Sequence, residues 1–231
     1  ALAARRGVDA GALRGSLGAD PIGRLARDGA LATSLDDALA ALGATGARVR
    51  DALPGLDTAM ADDGAWHDAG ATEAQALGYA MATGLAYLRA FTAAGLDVDV
   101  AAGQIAFTLS LTGEMVVGIA KLRAARALWA RIVEVAGGSP GAGAMTLHAR
   151  TAERILTRRD PHVNILRNTA ALFAALVGGA NSALSVDFAH ALGGSSALSR
   201  RLAQNTALVL ALEGGLTRVS DPAGGSWTVE T

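Results

Sequence analysis

Between Gln104 and Thr112 the chain alternates with a period of two. Gln104, Ala106, Thr108, Ser110 and Thr112 fall on one face, and Ile105, Phe107, Leu109 and Leu111 on the other. From Met115 onward the repeat lengthens to about 3.6, which brings Met115, Ile119, Leu122, Arg126 and Trp129 into line. A strand running straight into a helix is half of a βα unit. The strand's second face is small and polar, whereas a doubly wound sheet is apolar on both faces. Such a strand fits a barrel with room inside.

The same reading extends to both ends. Residues 1–50 form a helical lead-in. One amphipathic piece spans residues 7–17, a second opens at Asp20-Pro21, and a third is capped by Ser34 and runs to about Val49. Residues 55–60 are a weak strand, followed by a polar loop over 61–70. Thr72 caps a long helix through Leu77, Met81, Leu85 and Leu88 to Phe91. The glycine-rich residues 137–144 are a connector, since no strand leads into them and no Lys-Ser/Thr follows. Residues 145–150 are a third strand with Thr146, His148 and Arg150 on one side. A helix over 163–177 stops at Gly178-Gly179, a fourth strand covers 182–186, and Ser195 or Ser196 caps a further helix to Gly214-Gly215. Residues 51–231 thus read as βα units. The fold class is α/β: about four parallel strands with flanking helices, the C-terminal half of a (β/α)8 TIM-type barrel.

Composition narrows the function. The formal net charge of −1 gives no reason to expect nucleic acid or an anionic membrane. No charge-free apolar run reaches about 18 residues, so no membrane span is expected. The first charges follow a very short apolar run, the wrong order for a signal peptide. Without cysteine there is no disulfide or thiolate metal site, and the default location is cytoplasmic. His148 and His162 bracket Arg150, Glu153 and Asp160, but no spacing matches a metal ligand set. Arg154, Arg158, Arg159 and Arg167 make a local basic cluster, in which Arg158-Arg159 read as a solvated face flanking a helix cap at Asp160-Pro161, and His67 reads as a solvated loop histidine.

Ala69-Gly70-Ala71-Thr72, the stretch 84–89, the stretch 95–99, the helix 119–129, residues 201–206 and residues 217–227 occur in an order that resembles methylmalonyl-CoA mutase. The resemblance covers nearly the whole chain and is strongest over 69–227. It implies the later half of a barrel through whose centre the CoA chain threads. In that family a separate C-terminal domain carries an Asp-x-His-x-x-Gly cobalamin motif, which this sequence lacks. Adenosylcobalamin is therefore implied for a complex, with no cofactor bound by this chain.

The family includes catalytic chains and, in some bacteria, a small (beta) subunit that has lost the site. Where catalytic chains resemble Tyr-His-x-x-Glu-Ala-Gly, this chain has Gly64-Ala65-Trp66-His67-Asp68-Ala69-Gly70. For Arg-Leu-Ser-Phe-Phe it has Gln104-Ile105-Ala106-Phe107-Thr108, and glutamine offers no charged fork to an anion. The family's His-x-Gln-Thr-Ser-Gly becomes His148-Ala149-Arg150-Thr151-Ala152-Glu153, and the His of Gln-Ser-Leu-His-Thr-Asn becomes Leu184. The expectation is a small-subunit-like chain with no catalytic residue. It would be a heterodimer partner of a catalytic mutase subunit that interconverts methylmalonyl-CoA and succinyl-CoA by a cobalamin-dependent radical rearrangement. The alternative is a diverged catalytic barrel that still binds acyl-CoA and takes cobalamin from another domain or chain. Its support is the polar lining at Thr108, Ser110, Thr112, Thr146, His148 and Ser185, of which Thr108, Ser110, His148 and Ser185 are the candidate substrate contacts. Tyr79 and Tyr87, on the helix after Thr72, are candidate contacts for a partner subunit.

Overall fold

A computed structural model describes residues 5–216 and 218–230. Residues 1–4, the short apolar run ahead of the first charges, lie outside the described residues, as do Thr217, which opens the stretch 217–227, and Thr231. Five strands, β1 (Gly15–Ala19), β2 (Leu56–Asp62), β3 (Ile105–Leu111), β4 (Thr146–Thr151) and β5 (Ser182–Leu184), form one sheet in the order β1-β2-β3-β4-β5. The β1–β2 and β4–β5 pairs are parallel. Helices flank the sheet, so the architecture is α/β and matches half of a TIM-type barrel.

The strand count corrects the expected four. The helix expected over residues 7–17 is instead a short 3-10 turn at Ala10–Ala12 followed by β1. Every residue of β1 but the last is exposed, and its pairing with β2 shifts register between Ser16 and Ala19. An edge strand held by backbone bonds needs no apolar side chains, so it leaves no alternating pattern.

By Cα proximity the chain divides into two compact units. The first comprises Ala1–Ala65, Tyr79–Phe107 and Arg126–Thr146. It contains α1 (Pro21–Asp28), α2 (Leu35–Ala52), most of α4 (Glu73–Ala93), which follows the one-turn α3 (Gly64–His67), and the short α5 (Val98–Ala102). Asp20 and Ser34 cap α1 and α2 as the sequence predicts, accepting from Gly23 N and Asp37 N. Helix α2 approaches α4 closely at Gly46, where a Cβ would stand 2.4 Å from the Phe91 ring. Phe107 and Trp129, both fully buried, meet edge to face at 4.8 Å.

Tyr87 is fully buried in this unit and not available to a partner, which corrects its reading as an interface residue. Its hydroxyl donates to Asp20 Oδ1 and accepts from Ile22 N at 3.1 Å. Pro21 has no N–H and Gly23 N is held by Asp20, so Tyr87 completes the cap of α1 from another helix. Tyr87→Phe leaves the Ile22 N–H without its acceptor. The expected loss is about 1–3 kcal/mol in a urea titration, and an unchanged midpoint would show that this cap carries no weight.

The second unit comprises Trp66–Gly78, Thr108–Ala125 and Leu147–Thr231. Helix α7 (Val163–Val177) has the bounds the sequence predicts and stops at Gly178. It packs tightly on the first turns of α6 (Met115–Val135), where a Cβ on Gly118 would stand 3.0 Å from Ala174 Cβ. Ser196 forms a capping box with Ser199 at the start of α8 (Ala197–Leu208), whose last turn widens into a π-segment, Val209–Glu213. Leu111, Leu122, Leu147 and Leu172 make the apolar interior of the unit.

Candidate functional site

At the carboxyl ends of β3 and β4 the second unit gathers a network of ionised side chains. Ser110 and Arg150 come from the polar sides of these two strands, and Arg150 Nε donates to Ser110 Oγ at 3.1 Å. The other arm of the guanidinium holds Asp68 Oδ2 at 3.0 Å. Asp68 Oδ1 accepts from the backbone N–H groups of Glu153 and Arg154, at 3.1 and 3.3 Å. The segment after α3 is therefore fastened to the end of β4.

His67 and Glu73 form the second half of the network. His67 is fully buried, with Nε2 2.8 Å from Glu73 Oε1. This corrects the reading of His67 as a solvated loop histidine. Glu73 Oε2 accepts from Lys121 Nζ at 2.7 Å, and the same ammonium donates to the Ser110 carbonyl at 2.9 Å. Arg154 Nη1 donates to the carbonyls of His67 and Ala71, at 2.8 and 2.7 Å, and Nη2 lies 3.3 Å from Glu73. Arg154, though exposed, is thus a clamp on this segment.

Burial alone would raise the Glu73 pKa, but the His67 hydrogen bond and the Lys121 ammonium outweigh it and hold the carboxyl at about 2. Asp68 is likewise held below its ordinary value: burial opposes this, and His67 and Arg150 prevail. Burial would lower His67, but the carboxylates of Asp68 and Glu73 raise it above the ordinary imidazole value. Both carboxylates are ionised at neutral pH.

The four candidate substrate contacts do not share one arrangement. Ser110 is fully buried and engaged by Arg150, while Thr108 is half-buried one step earlier on β3. His148 Nδ1 lies 2.7 Å from Ser182 Oγ across the β4–β5 pair. Ser185 is 8% exposed and donates to the Val186 carbonyl at 3.1 Å. It lines a cavity of about 10 Å³ with Asn168 and Thr206, room for one water and no acyl chain. A larger cavity of about 330 Å³, also touching Ser185, has Asp187, Ser195, Arg200 and Gln204 as its other polar walls. In the first unit, Gln104 is 3% exposed and its Oε1 accepts from Thr58 Oγ1 at 2.5 Å. Among the described residues no group of three or more His, Asp or Glu is placed to hold a metal ion, and no helix is long and apolar enough to cross a membrane.

Sequence reasoning missed Glu73, Lys121 and Asp68. One signal was available. The chain's single lysine, Lys121, stands in the buried register of α6 between Gly118 and Ala125, and a lysine there requires a carboxylate partner.

A parallel sheet flanked by helices, with its ionised side chains gathered at the strands' carboxyl ends, is the construction of an α/β-barrel protein. Comparison gives the family. The family model described as methylmalonyl-CoA mutase matches residues 1–231. The chain is 47% identical over 224 residues to a methylmalonyl-CoA mutase small subunit of Streptomyces virginiae, covering 97% of this chain and 36% of that protein. It is 40% identical over 217 residues to the methylmalonyl-CoA mutase small subunit of Propionibacterium freudenreichii subsp. shermanii, covering 94% and 33%. A methylmalonyl-CoA mutase of Cereibacter sphaeroides is 38% identical over 165 residues, covering 71% and 23%. The chain belongs to the methylmalonyl-CoA mutase family. It spans about a third of the length of the small subunits it matches.

Proposed function

We propose that this chain is the later-half barrel portion of a methylmalonyl-CoA mutase small subunit, a structural partner of the catalytic subunit rather than a catalyst. The observation that carries this reading is Arg150. By resemblance it stands where catalytic chains have Gln, and its guanidinium is spent on Ser110 and Asp68. Ser110, Arg150 and Asp68 are committed to one another rather than to an acyl-CoA. Gln104, in the place of the family's Arg, is likewise bonded inward to Thr58. Adenosylcobalamin is the cofactor implied for the complex. A metal takes a neutral imidazole nitrogen with a lone pair to give, whereas His67 is fully buried with Nε2 on Glu73 and Nδ1 toward Asp68. The network does not fit the cofactor, and no step through it is assigned to this chain.

The partner is a catalytic mutase subunit, and the complex acts on methylmalonyl-CoA. Tyr79, 47% exposed on α4, is the remaining aromatic candidate for that contact. The full-length protein, purified free of its partner, is expected to convert no methylmalonyl-CoA when adenosylcobalamin is added. It is expected to co-purify with the catalytic subunit, and less so as Tyr79→Glu with an unchanged melting temperature. Turnover by the isolated protein would overturn the structural reading in favour of a diverged catalytic barrel.

A further inference from the structure

The segment from α3 into α4 begins on a buried histidine that the proposed function does not use. His67 Nε2, 2.8 Å from Glu73 Oε1, must carry a proton, because two lone pairs cannot meet at that distance. Nδ1 is buried without a hydrogen-bond partner and lies 3.8 Å from Asp68 Oδ1. That distance is too long for a hydrogen bond and short enough for an ion pair. A neutral ring would turn a lone pair toward the Asp68 carboxylate, whereas a charged ring turns an N–H there.

The other charges around the ring are already committed. From α6, Lys121 is held by Glu73 Oε2 at 2.7 Å. From the 3-10 turn Glu153–Ile155, Arg154 is spread over Glu73 and two carbonyls. From β4, Arg150 reaches Asp68 at 3.0 Å, and Glu153 lies beyond it between Arg150 and His190, at 4.0 and 3.3 Å. Lys121 opposes a charge on His67, and the two carboxylates flanking the ring favour it.

We infer that His67 is a proton-operated clamp: charged, it draws Asp68 and Glu73 together across the turn 67–73, and on losing its proton it lets that turn loosen. The direction is set by the raised imidazole pKa. The clamp is complete below the ordinary imidazole value and is lost as pH rises through the higher folded-state value. Asp68 keeps its bonds to Arg150 and to the Glu153 and Arg154 N–H groups, so the event is confined to residues 67–73.

The test follows the ring and the segment together in the full-length protein. Ring ¹⁵N shifts are expected to show His67 charged at neutral pH, with a midpoint above the ordinary histidine value. Amide exchange over residues 66–72, corrected for its intrinsic pH dependence, is expected to lose about tenfold in protection across that midpoint, the equivalent of 1.4 kcal/mol. His67→Gln keeps a donor toward Glu73 and does not titrate, so its protection is expected to show no such step. A ring that stays neutral between about pH 6 and 9, or an equal step in His67→Gln, overturns the clamp. If that variant does not fold, disagreement between ring and exchange midpoints in the unaltered protein does the same. Neither measurement involves turnover or the partner, so this inference and the proposed function fail separately.

Discussion

Replacing Glu73 with alanine is expected to cost about 3–5 kcal/mol, a large fraction of a domain's net stability. The carboxylate is the counter-ion of Lys121, which is 4% exposed, and the acceptor for His67, which is fully buried. Its removal leaves a buried ammonium and a buried imidazole facing each other with their shared acceptor gone. Glu73→Gln keeps an acceptor but not the charge, so it is expected to fall between the two. Acid separates the ionic share from the packing share. The Glu73 pKa is held at about 2, below its ordinary 4.5. Its contribution is therefore complete above the ordinary value and is lost as pH falls through the folded-state value. That shift is worth on the order of 3 kcal/mol. Urea midpoints at neutral pH and at about pH 3 measure both. A Glu73→Ala variant within about 1 kcal/mol of the unaltered protein would mean that the network is ornament on a fold held by its apolar interior.

Trp129→Ala is expected to cost a similar amount, about 3–5 kcal/mol, through a different mechanism. Trp129 is fully buried against Phe107, in a space that exists because residue 84 has no side chain. A Cβ on Gly84 would stand 2.6 Å from Phe107 Cζ and 3.2 Å from the Trp129 ring. Gly84→Ala is thus expected to destabilise by about 1–3 kcal/mol, even though alanine is the better helix former by about 1 kcal/mol. The two changes share one space, so the double variant is expected to cost less than their sum. The indole Nε1 is buried with no hydrogen-bond partner among the described residues. Trp129→Phe removes that unsatisfied donor along with the bulk, and is expected to be markedly milder than alanine. Strict additivity of Gly84→Ala and Trp129→Ala in urea titrations would show that the glycine does not serve the tryptophan.

The elements that could be read from the sequence were those whose periodicity and termini agreed. Helix α7 has apolar spacing throughout and glycine at its end, and its bounds are those expected. Ser34 and Asp20 announced the helices that follow them. Strand β1 gave no such signal, because its exposed Gly-Ser-Leu-Gly-Ala is held by neighbours' backbones and not by its own side chains. Of the candidate site, the sequence offered the departures at Gly64, Ala65, Gln104 and Leu184 from the pattern it resembles. The network at the strand ends could not be read. Arg150 meets a residue 82 positions away and Lys121 one 48 positions away, and no periodic pattern encodes such pairs. His67 illustrates the limit best. An isolated histidine in a polar stretch looks solvated until Glu73 and Asp68 are known to lie on either side of it.

The burial of Lys121 bears on how any partner contact could be mapped. These 231 residues carry one side-chain amine, and it is 4% exposed and spent on Glu73 and a carbonyl. Amine-directed cross-linkers and labels will find almost nothing to react with along this surface, however intimately a partner lies against it. A cross-link map that is blank here reports the reagent and not the contact. Guanidinium- or carboxylate-directed chemistry, for which the surface offers Arg158, Arg159 and Asp160, is the one that can see a neighbour.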